Sequence, residues 1–358
     1  MQREPAHRLD PDFWRHRRVF VTGHTGFTGG WLCLWLQRLG AAITGYALAP
    51  ETPSLFRSLE LERDLDSRIA DLADARALAQ ALHDARPEIV IHLAAQPLVR
   101  RAHAEPAQTF ATNLMGTVNL LEAMRHRNGI AAAVVVTSDK VYLNRGLRRG
   151  YRETDRLGGR EPYSASKACA EIAVEAYRHS YFGARGPAIA TARAGNIIGG
   201  GDWAQDRLVP DAVRAFEAGA ALRIRNPNAT RPWQHVLEAV AGYLLLAERL
   251  ATAPATASGA WNFGPHHDDN RPVAWIAEEM TRLWGQGAAW HLDNRQAPFE
   301  EQLLAVNTGK AAQGLGWRSR WSIEQALQRT VPWYRAQLGD CPMRRPSLDQ
   351  IEEYVHAA

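Results

Sequence analysis

Short runs of β-branched and apolar residues alternate with longer amphipathic stretches through the first half of the chain. Arg18-Val19-Phe20-Val21-Thr22 reads as a buried strand that runs into a glycine turn. The helix that follows places Leu32, Trp35, Leu36 and Leu39 on one face. Ala42–Tyr46, Glu88–Leu93 and Ala133–Thr137 predict further strands, the last two separated by a helix around Asn119–Ala123. Ile189–Arg193 predicts another strand after a helix that carries Tyr163 and Lys167. Strands alternating with helices in this way build βαβ units, so the expected fold is α/β with a Rossmann-type, doubly wound parallel sheet.

Beyond about residue 195 the pattern changes. Gly199-Gly200-Gly201-Asp202 reads as a loop, and the chain becomes richer in Trp, Pro and Arg. Ala251 to Ala260 is a run of small residues that predicts an exposed connector. The expected organisation is a Rossmann domain over 15–195, to which later strands return, and a smaller mixed substrate-binding lobe over 196–340. Residues 1–14 and 341–358 are terminal extensions.

Composition narrows the function classes. The 358 residues are 46% hydrophobic and 22% charged, ordinary for a globular protein. Basic residues exceed acidic ones by only four (42 against 38) and are scattered. That argues against a nucleic-acid stripe and suits an anionic small substrate. Cys33, Cys169 and Cys341 are too few and too far apart for a disulfide framework or a zinc site. The 13 histidines show no metal spacing, so no metal is expected. No apolar run reaches the roughly 18 residues of a membrane span, and Met1–Pro5 lacks the apolar core of a signal peptide. A cytoplasmic location is the expectation.

Gly23-His24-Thr25-Gly26-Phe27-Thr28-Gly29 lies between the first strand and its helix. Glycines there permit a tight turn and close approach of backbone N–H groups to a pyrophosphate at a helix N-terminus. An acidic residue at the end of the second strand would bind the ribose of NAD. Here the chain reads Tyr46-Ala47-Leu48-Ala49-Pro50, with Glu51 and Arg57 farther on. NAD against NADP is therefore left open by these residues.

Tyr163 and Lys167 stand at i and i+4, so on a helix they face the same way. A nearby ammonium should lower the phenol pKa and let the tyrosine take a proton while hydride leaves carbon. Ser138, Asp139 and Lys140 fall at the carboxyl end of a buried strand, where open α/β sheets bind ligands. Ser138 fits a hydroxyl that bonds the substrate beside Tyr163. Asp139 could protonate a leaving hydroxyl if burial raises its pKa, and Lys140 could abstract a proton alpha to a new ketone if its own is lowered. Oxidation followed by elimination is the chemistry these types suggest.

The G-x-x-G-x-x-G spacing resembles that of the extended short-chain dehydrogenase/reductase family. The resemblance implies NAD as cofactor. It places Gly23, Thr25, Gly26, Phe27 and Gly29 at the pyrophosphate, Asp71 and Leu72 near the adenine, and Ala94, Ala95 and Gln96 along the cofactor, with Tyr163 and Lys167. Within that family, Ser-Asp-Lys at the strand end is similar to the CDP-glucose 4,6-dehydratases, where related enzymes carry Thr-Asp-Glu. Asp12-Phe13-Trp14, Gly150-Tyr151-Arg152-Glu153, the run Ala192 to Trp203 and Arg231–Val236 agree, over roughly residues 10 to 335. Thr28, where a lysine is common, and Leu147-Arg148-Arg149 depart from the pattern.

The resemblance implies a lyase acting on CDP-glucose, with Ser138, Asp139, Lys140, Tyr163 and Lys167 as catalytic residues. Asn196, Arg207, Leu208 and Arg231 would bind the nucleotide sugar, and Trp203 and Trp233 would form core or pocket wall. It also implies a homodimer or homotetramer. A dehydratase for another nucleotide, a 4-epimerase, or a non-catalytic NAD sensor are the competing readings. The acid and amine at Asp139-Lys140 argue against the epimerase, and the retained Tyr163 and Lys167 against the sensor.

Overall fold

The apolar runs form parallel strands because each is covered on both faces, as parallel sheets require. The computed structural model describes residues 9–183, 186–285, 287–293 and 302–357, and Met1–Pro5 lies outside them. Six strands come from the first 194 residues: β1 Arg18–Thr22, β2 Ala42–Ala47, β3 Asp66–Ile69, β4 Ile89–His92, β5 Ala132–Val136 and β6 Ala188–Ala194. A seventh, Gly259–Phe263, arrives much later in the chain and pairs with β6. The sheet runs Gly259–Phe263, β6, β5, β4, β1, β2, β3, every pair parallel. The strand order reverses between β1 and β4, so Thr22 neighbours Tyr46 on one side and His92 on the other. A crevice opens at the carboxyl ends of the strands at such a switch point.

The sequence pattern gave no sign of β3. Asp66-Ser67-Arg68-Ile69 is polar because it forms the sheet's outer edge, and Arg68 bonds Asp66 and Asp84 there at 3.0 and 3.3 Å. Charges on an edge strand blunt further pairing. The exposed connector expected over Ala251–Ala260 is corrected. The Val236–Thr252 helix runs into its start, Pro254–Ala257 makes a helical turn, and the seventh strand begins at Gly259. Small residues fit here because Ala257 is buried and its carbonyl accepts from Trp261 Nε1 at 2.7 Å.

The helix after the glycine turn, Phe27–Arg38, is buried all round from Gly29 to Leu36, not on one face alone. The Val236–Thr252 helix and the C-terminal Arg344–His356 helix both pack on it. Tyr354 stands edge-on to Trp35 and donates to the buried Glu238 at 2.6 Å. Glu238 also accepts the Arg320 and Trp321 backbone N–H groups, at 2.9 and 2.7 Å. Burial pushes the Glu238 carboxyl up to about 7.

His24, inside the glycine turn, shows how closely β2 approaches the cofactor side. Its Nε2 meets Ser67 Oγ at 2.8 Å and its ring stands edge-on to Phe56. Burial pushes it down to about 4, so it is neutral at physiological pH. Gly45 on β2 has no side chain because a Cβ there would lie 2.3 Å from that ring. Gly45→Ala should therefore destabilise the protein by about 3 kcal/mol. A urea midpoint unchanged from wild type would show that the His24 ring can move aside.

Candidate active site

β5 ends at Val136, and its exit carries four functional side chains in succession, beginning with Thr137. Ser138 caps a single 3-10 turn, Asp139–Val141, by accepting the Lys140 N–H at 3.1 Å, and its hydroxyl donates to Asp139 Oδ1 at 3.2 Å. The other carboxylate oxygen of Asp139 is buried and has no hydrogen-bond partner among the described residues. Burial pushes Asp139 up to about 6, against the opposing pull of Lys140, Ser138 and Arg231. A carboxyl held this way can carry a proton near neutral pH.

Facing this turn is the Pro162–Ser180 helix. Pro162 opens it and the Glu161 carboxylate accepts the Tyr163 and Ser164 N–H groups at 2.7 and 2.8 Å, which fixes the first turn. Tyr163 and Lys167 share a face, and both are buried. The Lys140 ammonium lies 5.9 Å from the Tyr163 ring centre, so elimination and oxidation groups meet. The expectation of an acidified phenol is overturned for this state. Burial pushes Tyr163 up to about 12, outweighing its hydrogen bond with Ser138 and the charge of Arg207. The Lys167 amine donates to the Val136 carbonyl at 3.1 Å, and burial brings it down to about 8.

These groups floor a cavity of about 420 Å³. Asn196, Arg207, Leu208 and Arg231 also line it, with Arg100 and Arg225 among its further cations. Arg207 pairs with Asp202 at 2.9 Å, and the buried Arg231 donates to the Thr230 carbonyl at 3.0 Å. Asp206 holds Arg100 at 2.6 Å and reaches Arg225 at 3.8 Å. Arg100, Arg225 and Asp206 were not singled out from sequence, since they come from a short helix, Val99–Ala104, and two separate loops. Trp233 lines the cavity and donates to the Arg271 carbonyl, while Trp203 packs edge-on against Tyr334.

The assigned cofactor residues divide. Phe27, Ala95, Tyr163 and Lys167 line the cavity. Gly23, at φ +77°, comes so close to the β4 exit that a Cβ would stand 2.7 Å from the Ala94 nitrogen. The Phe27–Arg38 helix starts at Gly26 with no side-chain cap and no acid in its first turn. Gly29 lies within that turn, so uncapped N–H groups are presented to an anion. Thr25 donates its hydroxyl to the Leu48 carbonyl at 2.9 Å and so braces the β2 exit. Asp71 is exposed and caps Ala73 at 2.9 Å, near the Tyr46 hydroxyl bonded to its carbonyl. Leu72 is buried in the core, and Gln96 bonds Thr109 and Leu98. Where the ribose carboxylate would stand, Leu48 is exposed.

The family model described as GDP-mannose 4,6 dehydratase matches residues 20–330. The chain belongs to this family. A curated relative from Salmonella typhimurium, a CDP-glucose 4,6-dehydratase, is 46% identical over 355 residues, covering 98% of this chain and 99% of the relative. The dTDP-glucose 4,6-dehydratase 1 of Escherichia coli is 26% identical, covering 88% and 92%. Among solved structures, a UDP-glucose 4-epimerase from Stenotrophomonas maltophila with bound NAD superposes with a TM-score of 0.79 at 21% identity, covering 91% and 100%. That likeness shows the fold. No helix among the described residues is long and apolar enough to cross a membrane.

In this family member the buried Asp139 has a measurable cost. The folded chain keeps its proton to about pH 6, whereas an unfolded aspartate releases it near 3.8, so stability is lost as pH rises between these values. Asp139→Asn should raise the unfolding free energy at about pH 8 by roughly 3 kcal/mol and leave it unchanged below about pH 4. The same difference at both pH values would remove burial of the charge as the cause.

Proposed function

We propose that the chain converts CDP-D-glucose to CDP-4-keto-6-deoxy-D-glucose and water. The observation that carries this reading is the meeting of Asp139 and Lys140 with Tyr163 in one cavity, in a chain 46% identical to a CDP-glucose 4,6-dehydratase. Bound NAD would supply the hydride acceptor for C4 and the hydride donor for C6, so no external reductant would be consumed. The uncapped helix at Gly26, the glycine turn and Lys167 would hold it.

The side chains supply the proton chemistry. Tyr163 takes the C4 hydroxyl proton, with Ser138 bonding the same oxygen. The C4 ketone acidifies the C5 hydrogen, and Lys140 removes it as a proton. Asp139 gives its proton to the C6 hydroxyl, and water leaves. Lys140 returns a proton to C5 as C6 is reduced, and exchange with solvent resets Tyr163 and Asp139. Asn196, Arg207 and Arg231 bind the diphosphate, where cations and N–H donors offset its charge. A 4-epimerase needs neither the acid nor the base for loss of water, so the strand exit favours dehydration. The three free thiols fit a reducing, cytoplasmic setting.

We also infer a homodimer through the segments after Asn113 and Tyr163, where Met115 and Ile172 are 49% and 59% exposed. Ile172→Glu should then sediment as a monomer, and an unchanged mass would remove this face.

Purified protein offered CDP-glucose and, separately, UDP-, dTDP- and GDP-hexoses should release a product lighter by one water from CDP-glucose, with a 4-keto group by NMR. Accumulating NADH, or a C4 epimer of unchanged mass, would sink the reading. Lys140→Met should still oxidise C4 but lose solvent exchange at C5. A variant dehydrating at the normal rate would show that Lys140 is not the base.

A further inference from the structure

Beneath the cavity floor, the proposed reaction leaves one charged cluster unused. Glu171 lies on the Pro162–Ser180 helix, one turn past Lys167 and two past Tyr163, so all three face the sheet. It is almost wholly buried, as is Arg193 on β6. Arg193 donates to both carboxylate oxygens, Nε to Oε1 at 2.9 Å and Nη2 to Oε2 at 2.8 Å. The Thr137 hydroxyl donates to Oε1 at 2.5 Å and the Thr191 hydroxyl to Oε2 at 2.7 Å. Four donors therefore satisfy one buried carboxylate, a fork geometry that fixes direction as well as charge.

The position of Thr137 gives this cluster its meaning. It is the residue immediately before Ser138, Asp139 and Lys140, and its own N–H is bound to the Ala192 carbonyl at 2.9 Å. One carboxylate thus spans the helix of Tyr163 and Lys167 and the strand exit of the acid and amine. We propose that Glu171, held by Arg193, is a positioning residue that sets the distance between these two halves through its bond to Thr137. This inference rests on the dehydration reading above. The oxidation and elimination groups act on adjacent carbons of one sugar, so an error in their separation falls on the later steps. A displacement of about 1 Å can cost on the order of 100-fold in rate. Glu171 is also the charge that opposes the effect of burial on Lys167.

Glu171→Gln strands the Arg193 charge and can fail to fold, so Thr137 carries the test. Thr137→Val removes the link and keeps the ion pair. It should lower kcat on CDP-glucose by about 10- to 100-fold with KM within about twofold, and reduced nicotinamide should accumulate during a single turnover. Thr137→Ser, which restores the hydroxyl, should recover most of the rate. Thr191→Val breaks an equal bond to Glu171 on the β6 side and should lose several-fold less. Equal losses in the two valine variants, or no rescue by serine, would mean general loosening and overturn the proposal. A Thr137→Val enzyme with wild-type kcat would also overturn it while leaving the dehydratase reading intact. Wild-type protein that does not dehydrate CDP-glucose would overturn both.

Discussion

Burying Glu171 with Arg193 is expensive, since two charges leave water, and a pair of this kind at best breaks even against apolar residues of the same size. The chain recovers that cost by making both groups serve several elements at once. Arg193 also donates to the Tyr142 hydroxyl and the Glu153 carbonyl, at 2.9 and 3.2 Å. Tyr142 passes the connection to Asn262 on the seventh strand at 2.6 Å, and Asn262 bonds the Tyr151 and Asn307 carbonyls. One helix, two strands and three loops are tied to one centre. The cavity above it inherits its shape from that centre.

The same exclusion of water sets the protonation of the floor. Burial drives Asp139, Tyr163 and Lys167 each toward the neutral form, which means upward for the acids and downward for the amine. A neutral aspartic acid has a proton to give. A neutral phenol, by contrast, must be pulled toward its anion before it can accept one, and Ser138 and Arg207 already pull in that direction. With Asp139 near 6 and Tyr163 near 12, the free site lies closer to the protonation its acid needs than to the one its base needs.

How much of this the chain announces depends on whether a signal is local. Strands β1 and β5 carry continuous apolar runs because both faces are covered, and runs of that kind are legible. β3 is polar, short and at an edge, so nothing distinguishes it from a loop. Tyr163, Lys167 and the Ser138–Lys140 exit were legible as residue types at meaningful spacings, and they do share one cavity. Spacing says that Lys167 faces the side of Tyr163, but not that its amine is satisfied by Val136. Likewise, Glu171 stands four residues after Lys167, and Arg193 lies inside a run already noted. No pattern along the chain says that this acid meets that base across the sheet. Nor does any local pattern announce the bonds of Gln96 to Thr109 and Leu98.

The late return of the Gly259–Phe263 strand has a consequence for synthesis on the ribosome. It docks at β6, pairing Asn262 with Arg193, so the cage around that arginine needs a residue made 69 positions later. When β6 leaves the exit tunnel, Glu171 and Thr137 are already outside, yet the Tyr142 side of the cage has no Asn262 to meet. The nascent chain must hold a half-built, charged centre while some seventy further residues are added. An arrested or truncated product ending before that strand would expose the edge of β6 as an open template for pairing. Translation speed through this interval therefore bears on how much of the protein reaches its finished form.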